Sequence, residues 1–179
     1  MHHALLVVLA GRPGTGKSTL GRLLTPELGA AYLRADAMVM PLLRGGLTVD
    51  PSEAARAAYG VAHEVAAANL QLGTAVVFDG VNATHEQRAA WVLVAKRESA
   101  DLLFLETTLS DPEEHRRRVD QRQRGAEGYL GPSWDSMQTQ PYDPWNVDHY
   151  GPRLVVDMSD TGAGLHLVLS RVRDLRDRS

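Results

Sequence analysis

Leu5-Leu6-Val7-Val8-Leu9-Ala10, followed directly by Gly11-Arg12-Pro13-Gly14-Thr15-Gly16-Lys17-Ser18, is the stretch that decides the fold. Six apolar residues without alternation are what a strand shows when both faces of a parallel sheet are covered. The eight that follow fit G-x-x-x-x-G-K-[ST] at every fixed position, after a predicted strand and at the opening of a predicted helix. Each fixed position has a physical reason. Glycines let successive backbone N–H groups turn inward around phosphate oxygens, and a helix N-terminus adds unpaired donors and partial positive charge. Gly11, Gly14, Thr15, Gly16, Lys17, Ser18 and Thr19 are therefore the candidate nucleotide-binding residues. Lys17 would reach the β and γ phosphates, and the Ser18 hydroxyl would be a Mg²⁺ ligand, since that ion takes few protein oxygens and shares the phosphates. Among 19 basic residues only Lys17 and Lys96 are lysines, so a lysine at this position stands out. ATP with Mg²⁺ is the implied ligand pair.

Working outward, the chain alternates short apolar runs with helical stretches and contains no internal repeat. After the helix from about Lys17 to Leu24, ended by Thr25, Pro26 and Gly29, a strand at Ala31–Arg34 delivers Asp36. Asp50-Pro51 caps a helix running to Leu72, and Gly73 stops it. A buried strand at Ala75–Phe78 leads to Asp79. Thr84 with Gln87 forms a capping box for a helix through Glu98, and Leu102–Leu105 is a fourth strand. Asp111-Pro112 opens an arginine-rich helix to about Arg124. Residues 125–152 carry glycine, proline and aromatics without periodicity, and a strand at Leu154–Val156 and a helix at 165–175 close the chain. This order predicts an α/β fold with a five-stranded parallel sheet flanked by helices, as one domain over 1–179, with ligands at the carboxyl ends of the strands.

Composition sets outer bounds. A 179-residue chain with 44% hydrophobic residues can bury one ordinary core. A net charge of −3 disfavours a nucleic-acid partner. The absence of cysteine excludes disulfides, thiolate metal sites and thiol nucleophiles. Ala4–Ala10 is too short to span a bilayer and follows no basic region, so the expectation is a cytoplasmic protein without a membrane anchor. His2 and His3 carry no assigned role, and His63, His85, His115 and His166 have no ligand spacing and read as surface or packing residues. Two relatives of the phosphate-loop motif are disfavoured. The Asn-Lys-x-Asp element that reads guanine is missing, Lys96 lying in Ala-Lys-Arg-Glu, and the strand ending Val77-Phe78-Asp79-Gly80 offers one carboxylate where motor ATPases carry two.

The loop, Arg34-Ala35-Asp36 after the second strand, Asp79-Gly80-Val81-Asn82 followed by Arg88, and the arginine-rich helix before an irregular segment together resemble the small P-loop kinases. That group includes chloramphenicol phosphotransferase, polynucleotide kinase, zeta toxins and the predicted AAA-type kinases, and the resemblance covers nearly the whole chain. It implies that Asp36 takes the proton from an acceptor hydroxyl, a role suited to a carboxylate facing the γ-phosphate. A helix N-cap is the alternative reading of Asp36. Polynucleotide kinases carry an arginine three residues after that aspartate, where this chain has Val39. The resemblance also implies that Arg118 and Arg122, four apart on one face, cover the transferring phosphate; a solvated helix face is the alternative.

Arg34, Asp79, Asn82 and Arg88 are candidate substrate or Mg²⁺ contacts, although turn chemistry alone would explain Asp-Gly-Val-Asn. Residues 118–150 are expected to form a lid. Tyr129, Trp134, Tyr142, Trp145 and Tyr150 would stack on an acceptor, with Asp135 or His149 adding a polar contact; a satellite core under the loop is the competing reading. The expected function is transfer of the γ-phosphate of ATP to a hydroxyl of a small molecule, an antibiotic, nucleoside or sugar alcohol, with a resistance-type role favoured by the resemblance. A 5′-hydroxyl polynucleotide kinase and an ATP-sensing module without phosphotransfer stand as alternatives.

Overall fold

The computed structural model describes residues 4–125 and 131–177. Its strands are β1 (Leu5–Ala10), β2 (Ala31–Arg34), β3 (Val76–Asp79), β4 (Asp101–Thr108) and β5 (Arg153–Asp157). All pair in parallel, in the order β2-β3-β1-β4-β5. β1 is central and every one of its residues is buried. Its pleat divides the core: Leu6 and Val8 join Phe78, Phe104 and Trp91 on one face, while Leu5, Val7 and Leu9 join Leu20, Leu24, Val168 and Val172 on the other. Helices α3 (Pro51–Gln71) and α4 (His85–Arg97) cover the first face, and α1 (Lys17–Leu28) and α8 (Thr161–Arg176) the second. Covering both faces of the sheet explains why the strands read as continuous apolar runs.

Several boundaries move for identifiable reasons. Helix α1 continues past Pro26 to end at Gly29, which takes the left-handed conformation; Thr25 Oγ1 donates to the Gly21 carbonyl in that last stretch. The remaining helices are α2 (Ala35–Arg44), α5 (Pro112–Gly125), α6 (Trp134–Thr139) and α7 (Val147–Tyr150). Helix α2 was not expected from the sequence. It starts straight after β2 with extended Arg34 as its N-cap, so Asp36 is an acid in the first turn and the cap reading of Asp36 is corrected. The capping box of Thr84 and Gln87 is present on both sides. Residues 131–152, expected to be irregular, contain α6 and α7. Among the described residues no helix is long and apolar enough to cross a membrane.

Candidate active site at the carboxyl edge of the sheet

The carboxyl ends of β1, β2 and β3 meet where the crossovers leave on opposite faces: α1 packs on one side of the sheet, α4 on the other. Ligands of open α/β sheets sit at such a point. The loop between β1 and α1 is tied to the turn after β3 by Gly11 N–H donating to the Val81 carbonyl at 3.1 Å. Two of its glycines are dictated by geometry. Gly11 has φ 130° and a Cβ there would lie 2.5 Å from the Thr107 carbonyl oxygen; Gly14 has φ 86° and a Cβ would meet Val119 at 2.7 Å. Thr15 is buried, its hydroxyl donating to the Arg12 carbonyl at 2.8 Å or sharing a proton with Thr107 Oγ1 at 2.7 Å, so that side chain shapes the loop from behind.

Lys17 is 8% exposed, and its Nζ donates to the carbonyls of Gly11 at 2.7 Å and Arg12 at 2.9 Å. Burial lowers its pKa from 10.5 to about 8. The Asp79 carboxylate draws it back up, Arg122 pushes it down and Asp36 draws it up more weakly. The charges of Asp79, Arg122 and Asp36 all act on the Lys17 ammonium. Ser18 lies half-buried in the first turn of α1, with Thr19 exposed beside it.

Along the ends of β2 and β3 runs a chain of polar contacts. Tyr32 Oη donates to Asp79 Oδ2 at 2.7 Å, Arg34 Nε stands 3.8 Å from the same oxygen, and Arg34 Nη2 pairs with Asp36 Oδ2 at 2.9 Å. Burial, with this bond to Asp79, raises the Tyr32 pKa well above an ordinary phenol. Asp79 is buried, whereas the Asp36 side chain is 70% exposed and open to a reactant.

Two candidates are corrected. Asn82 is fully buried: its Nδ2 donates to the Leu9 carbonyl at 2.5 Å, its Oδ1 accepts from Trp91 Nε1 at 3.1 Å, and its backbone adopts φ 47°. Arg88 is also fully buried. Its Nε donates to the Asn82 carbonyl, Nη1 to those of Asp143 and Pro144, and Nη2 to that of Ala83, at 2.8 to 3.2 Å. The rings of Tyr142, Trp145 and Tyr150 surround its guanidinium at 5.0 to 5.9 Å. Both residues are occupied with the protein itself, and neither presents a polar group to a ligand.

The expected lid is built differently from the expectation. Tyr142, Trp145 and Tyr150 pack around Arg88, with Trp145 also edge-on to Phe104, so they form a satellite core rather than a free stacking surface. Tyr142 Oη donates to Glu106 at 2.7 Å, and Arg153 pairs with the same carboxylate. Arg12 Nη1 donates to the Met137 carbonyl at 2.6 Å, pinning α6 to the loop. Trp134 lies edge-on to His115 with centroids 5.0 Å apart, and His115 Nε2 bonds the Pro13 carbonyl at 2.7 Å; since a carbonyl only accepts, Nε2 carries the proton. Of its two expected readings, surface or packing, His115 takes the packing one, against the loop. Asp135 and His149 are exposed. Arg118 Nε is held by Glu114 at 2.7 Å, and Arg117 shares that carboxylate, whose pKa these two hydrogen bonds hold at about 2. The Arg122 charge acts on the Lys17 ammonium. Tyr129 lies outside the described residues.

Arg12, His115, Tyr32 and Asp143 were missed by sequence reading. Arg12 occupies a variable position of the loop motif, and the others depend on partners far along the chain.

The family model described as an AAA domain matches residues 6–135. No curated protein matches the chain. Among solved structures, a candidate kinase from Chloroflexus aurantiacus is similar at TM-score 0.75 and 20% identity, covering 97% of this chain and 98% of that one. Kti12 from Chaetomium thermophilum, in complex with ADP-AlF3, is similar at TM-score 0.74 and 18% identity, with 96% and 98% covered. A gluconokinase from Sinorhizobium meliloti is similar at TM-score 0.65 and 17% identity, with 99% and 97% covered. At these identities the likeness establishes a shared P-loop kinase fold.

Proposed function

The chain belongs to the AAA domain family, and from that membership we propose that it is an ATP-dependent phosphotransferase acting on a hydroxyl of a small molecule. The observation that carries the reading is the Gly11–Ser18 loop closed on the buried Lys17, beside the polar chain at the ends of β2 and β3 in which Arg34 holds the exposed Asp36 carboxylate at 2.9 Å. Backbone N–H groups of residues 14–19 receive the phosphates, and Lys17 turns from the Gly11 and Arg12 carbonyls to the β and γ oxygens. The donors suit Mg²⁺. Ser18 stands half-buried beside Lys17 in the first turn of α1, so its hydroxyl and the phosphates would share the ion, which would supply charge neutralisation there.

Asp36 is the base. Its exposed carboxylate, oriented by Arg34, accepts the acceptor's hydroxyl proton as that oxygen bonds to the γ-phosphorus. The bond from that phosphorus to the bridging oxygen breaks, and ADP leaves. Arg122 neutralises charge on the transferring group, while Arg118, held by Glu114, supports the helix that carries it. Antibiotic, nucleoside and sugar alcohols are the acceptor classes to try, a resistance-type acceptor among them. The test is ADP release from Mg-ATP over such a panel. Asp36→Asn should lower acceptor-stimulated release by about a hundredfold or more while leaving ATP affinity within about twofold. Stimulation that survives Asp36→Asn would remove Asp36 from the reaction.

A further inference from the structure

Arg34 stands between two carboxylates and bonds only one of them. Its Nη2 pairs with Asp36 Oδ2 at 2.9 Å, whereas its Nε, a buried atom with no hydrogen-bond partner among the described residues, lies 3.8 Å from Asp79 Oδ2. By charge alone this division runs the wrong way. Asp79 is buried and Asp36 exposed, and a guanidinium is drawn more strongly to the carboxylate that water does not screen. Leaving Nε–H unbonded also forgoes a charge-assisted hydrogen bond. What stands against the closer pairing is Tyr32, whose hydroxyl already donates to that same Asp79 Oδ2 at 2.7 Å. Burial and this bond keep the phenol protonated, and so a donor.

The neighbouring helix makes room for that ring. Gly21 lies in the interior of α1, where glycine weakens a helix, and a Cβ there would come within 2.8 Å of Tyr32 Cε2 and 3.0 Å of Leu9 Cδ1. The ring packs on the core beneath α1 and its hydroxyl reaches the end of β3.

We propose that Tyr32 is a positioning residue for phosphoryl transfer: by holding Asp79 Oδ2 it leaves Arg34 to Asp36, the base. This rests on the phosphotransferase reading and adds to it a residue that touches no reactant. Without the hydroxyl, Asp79 Oδ2 loses its donor and Arg34 Nε is in place to supply one. Nε and Nη2 lie on one edge of the planar guanidinium, so a carboxylate that captures the first is placed to take the second, and Asp36 loses its partner.

The test is Tyr32→Phe, which keeps the ring against Gly21 and removes the hydroxyl. In ¹H–¹⁵N spectra of the arginine Nε–Hε groups, the Arg34 signal, assigned through Arg34→Gln, should move downfield in the proton dimension and exchange more slowly with water, as an unbonded N–H becomes a bonded one. The kinetic half uses Mg-ATP with glycerol, glucose and uridine. On any of these that wild type phosphorylates, Tyr32→Phe should lower kcat by about tenfold and leave the KM for ATP within about twofold. In an Arg34→Gln background the same substitution should change kcat by less than about twofold, because the residue through which it acts is gone. Additive losses, an unchanged kcat or an unmoved Arg34 signal each overturn the proposal. An Arg34 signal that moves while phosphate reaches no alcohol supports the hold of Tyr32 on Arg34 and counts against phosphotransfer. Transfer with a stationary Arg34 signal keeps the phosphotransferase and removes Tyr32 from it.

Discussion

The loop at Gly11–Ser18 and the segment at 131–152 border the same edge of the sheet but are held in opposite ways. The loop is closed on itself by Lys17, which bonds carbonyls five and six residues away between a strand end and a helix start, and Val81, Thr107 and His115 brace it from outside. The segment depends on partners far off in the chain. Arg12 reaches Met137 across 125 positions, Arg88 reaches Asp143 across 55, and Tyr142 reaches Glu106 across 36. The difference separates chemistry from support. On the proposed function, side chains such as Lys17 should be replaceable without unfolding the protein, whereas anchors such as Arg88 should matter to the fold more than to the reaction.

Lys17→Met should show the largest effect, lowering turnover by about a thousandfold or more. Its urea stability should stay within about 1 kcal/mol of wild type, because losing two hydrogen bonds is offset by removing a buried ammonium. A large loss of stability would break the comparison. Arg88→Leu should do the opposite, costing about 3–5 kcal/mol in urea unfolding because four carbonyls, that of buried Asn82 among them, lose a charged donor and three rings lose the cation they enclose. Nucleotide affinity of the folded fraction should be little altered.

The pH response sharpens the loop side. With the Lys17 pKa at about 8, the ammonium that meets phosphate is lost as pH rises through 8, so ATP affinity should fall about tenfold from pH 7 to pH 9, and Lys17→Met should flatten that profile. The sign for stability is reversed. Between about 8 and 10.5 the native protein binds fewer protons than the unfolded chain, so the contribution of this group to stability rises with pH across that window. Urea titrations at pH 7.5 and 9.5 on wild type and Lys17→Met, compared by difference, check it. The smallest effect is expected for Arg12→Ala, about 1 kcal/mol, seen as faster amide exchange confined to α6.

The same division explains what could be read from the sequence. The loop, the capping box at Thr84, the Asp50 cap and the five strands are written in residues within one turn or one strand of each other. Helix α2 was hidden because it follows β2 without a break and contains Pro41. Asn82 and Arg88 look like ligand contacts when only their neighbours are considered; their burial is decided by Trp91, Asp143 and the rings at 142–150. The aromatics of that segment likewise cannot be told from stacking residues until Arg88 is seen among them.

The most direct test of phosphotransfer follows the label itself: protein, Mg²⁺, γ-³²P-ATP and the alcohol panel, with wild type and Asp36→Asn run side by side and products separated from inorganic phosphate. The expected result is label appearing in an alkali-stable phosphorylated alcohol with wild type and nearly none with Asp36→Asn. Label found only in inorganic phosphate, equally with both proteins, would contradict an alcohol kinase with Asp36 as its base.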